Sequence, residues 1–234
     1  MQRVLITGTN RGLGLELVRQ YAEAGDRVFA ACRQPDVADE LQALAQTHST
    51  INILGLDVAD DAHFAAFAAS VAAWTDGIDV LIHNAGMNPR VPEARSLGML
   101  TAAALQTQMQ TNAIGPLLLT QALLSLLKKG EKPVVAMVTS QQGSLQWKQH
   151  GGGYAYSMSK AAMNMAARTL SYDLRPEGIA VITLHPGWVV TDMGGQDAEL
   201  TPQESASSIR TLIANTTLEM SGSFFKWNGT PHVW

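Results

Sequence analysis

Short apolar runs alternate with amphipathic stretches along the chain, and this alternation leaves few folds open. Val4–Ile6, Arg27–Cys32, Ile51–Leu56, Val80–His83, Pro133–Thr139, Ala180–Leu184 and Ser223–Lys226 read as seven strands. Helical periodicity begins at Gly12 and recurs over Val37–Ala45, Asp61–Trp74, Thr101–Leu127, Tyr154–Leu174 and Pro202–Thr216. Strands that alternate with helices in this way form an α/β doubly wound parallel sheet of about seven strands, with helices on both faces. No linker-like or low-complexity tract interrupts the 234 residues, so residues 1–234 are expected to form a single domain. Ligands of such sheets bind beyond the carboxyl ends of the strands.

The first of those ends is the richest. Val4-Leu5-Ile6 suits a buried central strand, and it stops at Thr7-Gly8. Gly12 and Gly14 then open a helix with apolar Leu13, Leu17, Val18 and Tyr21. Strand, glycine turn and helix start in that order make a phosphate cradle. Glycine lets the backbone approach the phosphates, and the first-turn N–H groups with the helix dipole favour negative charge. After the second strand, where an acidic residue would bind ribose hydroxyls, the chain has Cys32 and then Arg33. An arginine suits a 2′-phosphate, and Arg11 in the glycine turn can serve the same group. The expected cofactor is therefore NADP(H) in preference to NAD(H).

Composition closes other routes. A formal net charge of −4 without a basic stripe argues against nucleic acid. Cys32 is the only cysteine, so neither an internal disulfide nor a cysteine metal cluster is expected. No apolar run is long enough to span a bilayer, and the first strand begins too early for a signal peptide. A cytoplasmic protein without membrane partners is expected.

The remaining strand ends carry candidate chemistry. Asp57-Val58 follows the third strand, where a carboxylate suits an adenine amino group, and Asn84-Ala85-Gly86 follows the fourth, where small residues let a ribose and nicotinamide lie close. Tyr156 and Lys160 are four residues apart on one helix face. An ammonium beside a phenol stabilises the phenolate, which fits tyrosine for acid/base work. Ser140 lies just past the fifth strand, placed to hydrogen-bond a carbonyl oxygen. Asn112 lies in the long helix with Pro116 four residues later, which removes a helical hydrogen bond and predicts a kink.

Together these stretches carry a resemblance. TGTNRGLG (Thr7–Gly14), HNAG (His83–Gly86), Asn112, Ser140, YSMSK (Tyr156–Lys160) and PGWVVT (Pro186–Thr191) resemble the classical short-chain dehydrogenases/reductases in order and spacing over essentially the whole chain. The overall pattern, with the SGSFFKWNGTPHVW ending, is similar to the C-factor/sniffer-like subgroup. The resemblance implies a Rossmann-type fold and transfer of a hydride between NADP(H) and a carbonyl or alcohol. It implies Tyr156 as acid/base, Lys160 on the nicotinamide ribose, Ser140 on the substrate carbonyl and Asn112 in a proton relay. Gly8, Asn10, Arg11, Gly12, Leu13, Gly14, Arg33, Asp57, Val58, Asn84, Ala85 and Gly86 would line the cofactor. Tyr156, Lys160, Pro186, Gly187, Val189 and Thr191 would complete that lining. No metal ligands are implied.

Several features depart from the pattern or stay open. His83 stands where the family has asparagine, and Gly151-Gly152-Gly153 predicts a mobile loop before Tyr156. Met87, Trp147, His150, Trp188 and Met193 fall on loops around the site and suit either an apolar substrate pocket or core or lid packing. The apolar helix faces Leu117–Leu127 and Met163–Leu170 suit a homodimer or homotetramer, or burial within a monomer. A second functional reading is a cofactor-binding signalling protein of the C-factor type, with little turnover.

Overall fold

The computed structural model describes all residues, Met1–Trp234. Strands β1 (Arg3–Thr7), β2 (Arg27–Cys32), β3 (Ile51–Gly55), β4 (Val80–His83), β5 (Val134–Val138), β6 (Ala180–His185) and β7 (Phe224–Lys226) form one sheet. Their order is β3-β2-β1-β4-β5-β6-β7, and every pairing is parallel. The chain winds outward from β1 to β3, crosses back to β4, and winds the other way. The order reverses between β1 and β4, so their carboxyl ends flank a crevice.

The helices are α1 (Gly12–Glu23), α2 (Asp39–Thr47), α3 (Phe64–Ala72), α4 (Pro92–Arg95), α5 (Ala102–Met109), α6 (Gly115–Ala122), α7 (Leu124–Leu127), α8 (Tyr154–Leu174) and α9 (Pro202–Ala214). Side chains alternate across each strand, so β1 feeds both faces of the sheet. Val4 and Ile6 pack with α1, α2 and α9, whereas Leu5 packs with α3, α6, α7 and α8. Leu5 and Ile6 are fully buried, and truncating either to alanine removes about 2–5 kcal/mol of stability. Helix α9 starts with a reciprocal capping box. The Glu204 amide donates to Thr201 Oγ1 at 3.2 Å, and Glu204 Oε2 accepts from the Thr201 amide at 2.9 Å.

The helix expected to run from Thr101 to Leu127 is instead in three pieces. Gln110–Ile114 forms a π turn, closed by the Gly115 amide donating to the Gln110 carbonyl five residues back. Pro116 is the physical reason, because it has no amide to give the Asn112 carbonyl. A Cβ on Gly115 would overlap the Val58 carbonyl oxygen, so α6 lies directly against the segment after β3. A second break falls at Leu123. The predicted Asp61–Trp74 helix opens with a 3₁₀ turn at Asp61–His63, and the loop holding Pro92 contains the one-turn α4. No helix is long and apolar enough to cross a membrane.

Candidate active site

The glycine turn hangs from the end of β2, where the Ala31 carbonyl accepts from the Gly8 amide (2.8 Å) and the Thr9 hydroxyl (3.1 Å). Gly8 and Gly12 have φ of +71° and +57°, the left-handed region that favours glycine. Gly14 is required for a different reason, since a Cβ there would overlap the Gly8 carbonyl oxygen. Arg11 precedes α1 and gives it no side-chain cap, and the first turn of α1 has no acidic residue. Its first amides are thus left for an external anion.

Asn84 and Ala85 secure this turn from β4. Asn84 Nδ2 donates to the carbonyls of Thr7 and Gly8, both at 3.0 Å, and the Ala85 amide donates to Thr7 Oγ1 at 3.0 Å. The Asn84 side chain is therefore committed to holding the cradle itself. Gly86 beside it is exposed, and a Cβ there would meet Asn112 Oδ1 at 3.3 Å and Lys160 Nζ at 3.5 Å. The missing side chain lets both polar groups stand close over the exposed Gly86 backbone.

Asn112 reaches Gly86 from the π turn. It is fully buried, its Oδ1 accepts from the Met87 amide (2.8 Å), and its Nδ2 donates to the Met87 carbonyl and to Ser159 Oγ, both at 2.9 Å. Ser159 Oγ donates in turn to the Tyr156 carbonyl at 2.9 Å, which ties the π turn to α8. His83 also finds a use. It is buried against Thr120 Oγ1 at 2.8 Å, and Thr120 donates to the Pro116 carbonyl at 2.8 Å. With the hydroxyl proton so used, His83 Nε2 is the donor, and burial pushes the ring down to about 3, so it stays neutral.

Lys160 lies on α8 with its Nζ donating to the Val138 carbonyl at 2.9 Å and 5.8 Å from the centre of the Tyr156 ring. It is 4% exposed, and burial lowers its pKa to about 8. Burial pushes the Tyr156 phenol up, and the nearby Ser140 hydroxyl opposes that shift. The simple expectation that Lys160 alone sets the phenol low is therefore incomplete, since burial and Ser140 both act on it. The segment after β5 is fastened to α8 as well. Asn164 Nδ2 donates to the Gly143 carbonyl at 3.1 Å, and a Cβ on Gly143 would press into the Lys160 backbone. Ser140 is fixed in place relative to Tyr156 by this contact.

The other expected cofactor residues surround the same crevice. Asp57 is exposed and accepts from the Ala59 amide at 2.9 Å, whereas Val58 is buried. Arg33 is exposed and makes no hydrogen bond or ion pair, while Asn10 is exposed and Leu13 buried. Arg11 pairs with Asp192 at 2.9 Å, both largely in solvent. After β6, the Pro186 carbonyl accepts from Ser205 Oγ at 2.7 Å, and Val189 pairs with Leu200. Gly187 has φ +86° beneath Trp227 and Leu200. Thr191 stands against Gly12, where a Cβ would come within 3.2 Å of its methyl group, so this loop closes over the glycine turn.

Tyr156 also forms part of the wall of a cavity of about 350 Å³. Of the readings open for the loop residues around the site, this cavity does not favour the apolar pocket. Of Met87, Trp147, His150, Trp188 and Met193, only His150 lines this cavity, and its other walls include Asn88, Arg95, Gln142, Lys148 and Ser157. Met87 gives its backbone amide and carbonyl to Asn112, and the Trp188 indole donates to the Gly194 carbonyl at 2.8 Å. The triple glycine is held at two points. Lys148 Nζ donates to the Gly152 carbonyl at 3.1 Å, and the Gly153 amide donates to the Arg95 carbonyl at 3.1 Å. Ser159, Arg95 and Lys148 were not singled out from sequence, although Ser159 lies within the YSMSK stretch.

A family model described as short chain dehydrogenase matches residues 2–201. The chain belongs to the short-chain dehydrogenase family. It is an oxidoreductase of that family, with the seven-stranded Rossmann-type sheet expected from its sequence. It is 46% identical to the C-signal of Myxococcus xanthus over 169 residues, 72% of this chain and 99% of that protein. Its fold superposes on the carbonyl reductase Sniffer of D. melanogaster with a TM-score of 0.94 and 36% identity, over all of both chains. The NADPH-bound carbonyl reductase from chicken fatty liver gives a TM-score of 0.93 and 37% identity, over 100% of this chain and 99% of that one.

Proposed function

We propose that this protein is an NADP(H)-preferring reductase of ketones or aldehydes, working in reverse as an alcohol dehydrogenase. The observation that carries the reading is the exposed Gly86 backbone, approached closely by Asn112 Oδ1 and the buried Lys160 ammonium next to Tyr156. The residues present fit a dinucleotide: uncapped α1 amides, an exposed Gly86 and an unpaired Arg33 follow the ends of β1, β4 and β2. Gly8, Gly12 and Gly14 would take the pyrophosphate, Arg33 and Arg11 the 2′-phosphate, and Asp57 with Val58 the adenine. Gly86 and Lys160 would take the nicotinamide ribose, and Val189 and Thr191 the carboxamide. When bound, the nicotinamide supplies or accepts the hydride.

The protein's own part is proton transfer and orientation. Tyr156 keeps its proton at neutral pH, because burial raises its pKa, and so stands ready to donate it to a carbonyl oxygen. Ser140 supplies a second hydrogen bond to that oxygen. Lys160, fixed by Val138, holds a positive charge beside the phenolate that remains. Asn112 braces the far side through Met87 and Ser159.

Titration with NADPH and NADH, on wild type and Arg33→Ala, tests the cofactor reading. Charge-assisted contacts give NADPH an advantage of at least about tenfold, which Arg33→Ala removes. Turnover of a ketone and aldehyde panel then tests the reaction. Tyr156→Phe should lower kcat by on the order of 10²–10⁴-fold with NADPH binding kept. NADPH binding without any turnover would favour the signalling reading suggested by the C-factor resemblance. Met158, Met165 and Tyr172 recur every seven residues on α8 and are exposed, offering a face to a second copy. Light scattering on the eluting protein decides this, a 25.1 kDa species ruling the dimer out.

A further inference from the structure

The cavity beside Tyr156 has a charge that the reaction itself does not require. Arg95, at the end of α4, and Lys148, from the loop after β5, both line it, and no aspartate or glutamate does. The two cations lie close enough for Arg95 to disfavour the charge on Lys148. Neither forms an ion pair within the protein. Like charges gathered in one cavity without a counterion form a site for an anion.

The geometry shows how such an anion would be met. Lys148 Nζ donates to Gln142 Oε1 at 2.8 Å and to the Gly152 carbonyl at 3.1 Å, while its contact with His150 Nε2 is a long 3.5 Å. An ammonium has three protons, so one remains for a ligand. A Cβ on Gly153 would lie 3.9 Å from Lys148 Nζ and 4.0 Å from Ser157 Oγ, so the glycine leaves space in front of both. Ser157 Oγ is buried in this wall and has no hydrogen-bond partner. Arg95 brings a planar guanidinium suited to two-point contact with a carboxylate.

We propose that this cavity is a carboxylate subsite, and that the carbonyl compound turned over here carries a carboxylate bound by Arg95 and Lys148. The proposal rests on the reductase reading, because it places the reacting carbonyl at Tyr156, on the wall of the same cavity. It adds a substrate class. The acid group is the handle and the carbonyl lies a few atoms away, within a space of about 350 Å³.

Two measurements test it. In the first, benzoate and benzamide are titrated calorimetrically into wild type, Arg95→Gln, Arg95→Lys and Lys148→Gln, with and without NADPH. Benzoate should bind wild type at least about tenfold tighter than benzamide, and less so as salt rises. Arg95→Gln should remove that preference, and Arg95→Lys should keep most of it. Because Lys148 also braces its own loop, Arg95→Gln carries the decision if Lys148→Gln misfolds. Benzoate binding no tighter than benzamide, or a preference that survives Arg95→Gln, overturns the subsite. In the second, kcat/KM is compared for 4-carboxybenzaldehyde and 4-methylbenzaldehyde, with at least about a tenfold advantage expected for the acid. Equal turnover of the two aldehydes leaves the reductase reading standing and removes the subsite. Arginine-dependent benzoate binding without turnover of either aldehyde does the reverse.

Discussion

Lys160 donates its ammonium proton to the backbone carbonyl of Val138 at 2.9 Å, and no carboxylate neutralises it. Burial lowers its pKa from 10.5 to about 8, so between those values the unfolded chain binds a proton that the folded chain has lost. Stability therefore rises with pH across that window. Relative to Lys160→Met, wild type should gain up to roughly 3 kcal/mol between pH 7.5 and pH 10.5, measured by urea unfolding. A difference that does not change with pH would refute the buried, uncompensated charge.

The Asn84 clamp predicts a linked loss of stability and binding. Asn84→Ala removes two donors from the Thr7 and Gly8 carbonyls and should cost about 1–3 kcal/mol. Because those carbonyls belong to the phosphate turn, NADPH affinity should fall as well. Thermal unfolding and a fluorescence titration on one sample would show both effects. Unchanged affinity would mean that the turn keeps its shape without the clamp.

Asp192 should restrain Arg11. Their ion pair is largely solvated, with side-chain exposures of 70% and 75%, so Asp192→Asn should leave the melting temperature nearly unchanged. Releasing Arg11 should nevertheless strengthen NADPH over NADH by roughly two- to fivefold at low salt. The gain should fade as salt rises. A gain that ignores salt would point away from the 2′-phosphate.

A structural ion pair offers a prediction in acid. Asp79 is buried and accepts from Arg3 Nη2 (2.7 Å), Arg3 Nε (3.0 Å) and the Arg3 amide (2.7 Å), and from the Glu131 amide at 2.6 Å. These contacts overcome its desolvation and hold its pKa below 3.8. The stabilisation is full above the unfolded value and is lost as pH falls through the folded one. Asp79→Asn should cost about 2–4 kcal/mol at pH 7, and the gap should close below pH 3.8 in acid unfolding.

Much of this architecture is legible in the sequence because the signals are local. Apolar runs mark the strands, and Pro116 marks the helix irregularity from four residues beyond Asn112. The form of that irregularity was not legible, since a proline predicts a lost hydrogen bond and not which longer bond replaces it. The task of Asn84 was hidden for a different reason. Its side chain turns back to β1, and only the adjacency of β1 and β4 brings Thr7 and Gly8 within its reach. Arg95 and Lys148 belong to segments far apart in the chain, so their shared cavity exists only once α4 meets the loop ahead of α8. The polar lining of the cavity beside Tyr156 is not legible in the sequence, because residue type on a loop does not specify direction. Trp188, for example, turns its indole back to the Gly194 carbonyl of its own loop.

The π turn at Gln110–Ile114 is, in effect, an α-helix with one residue too many. Deleting Thr111 would restore ordinary helical phase, at a rotation of about 100° for everything on one side of the excision. Asn112 and α5 could not then both keep their present bearings towards α8. The surplus residue is what lets α5 and α6, joined end to end, address two surfaces, the sheet behind α6 and the crevice in front of it.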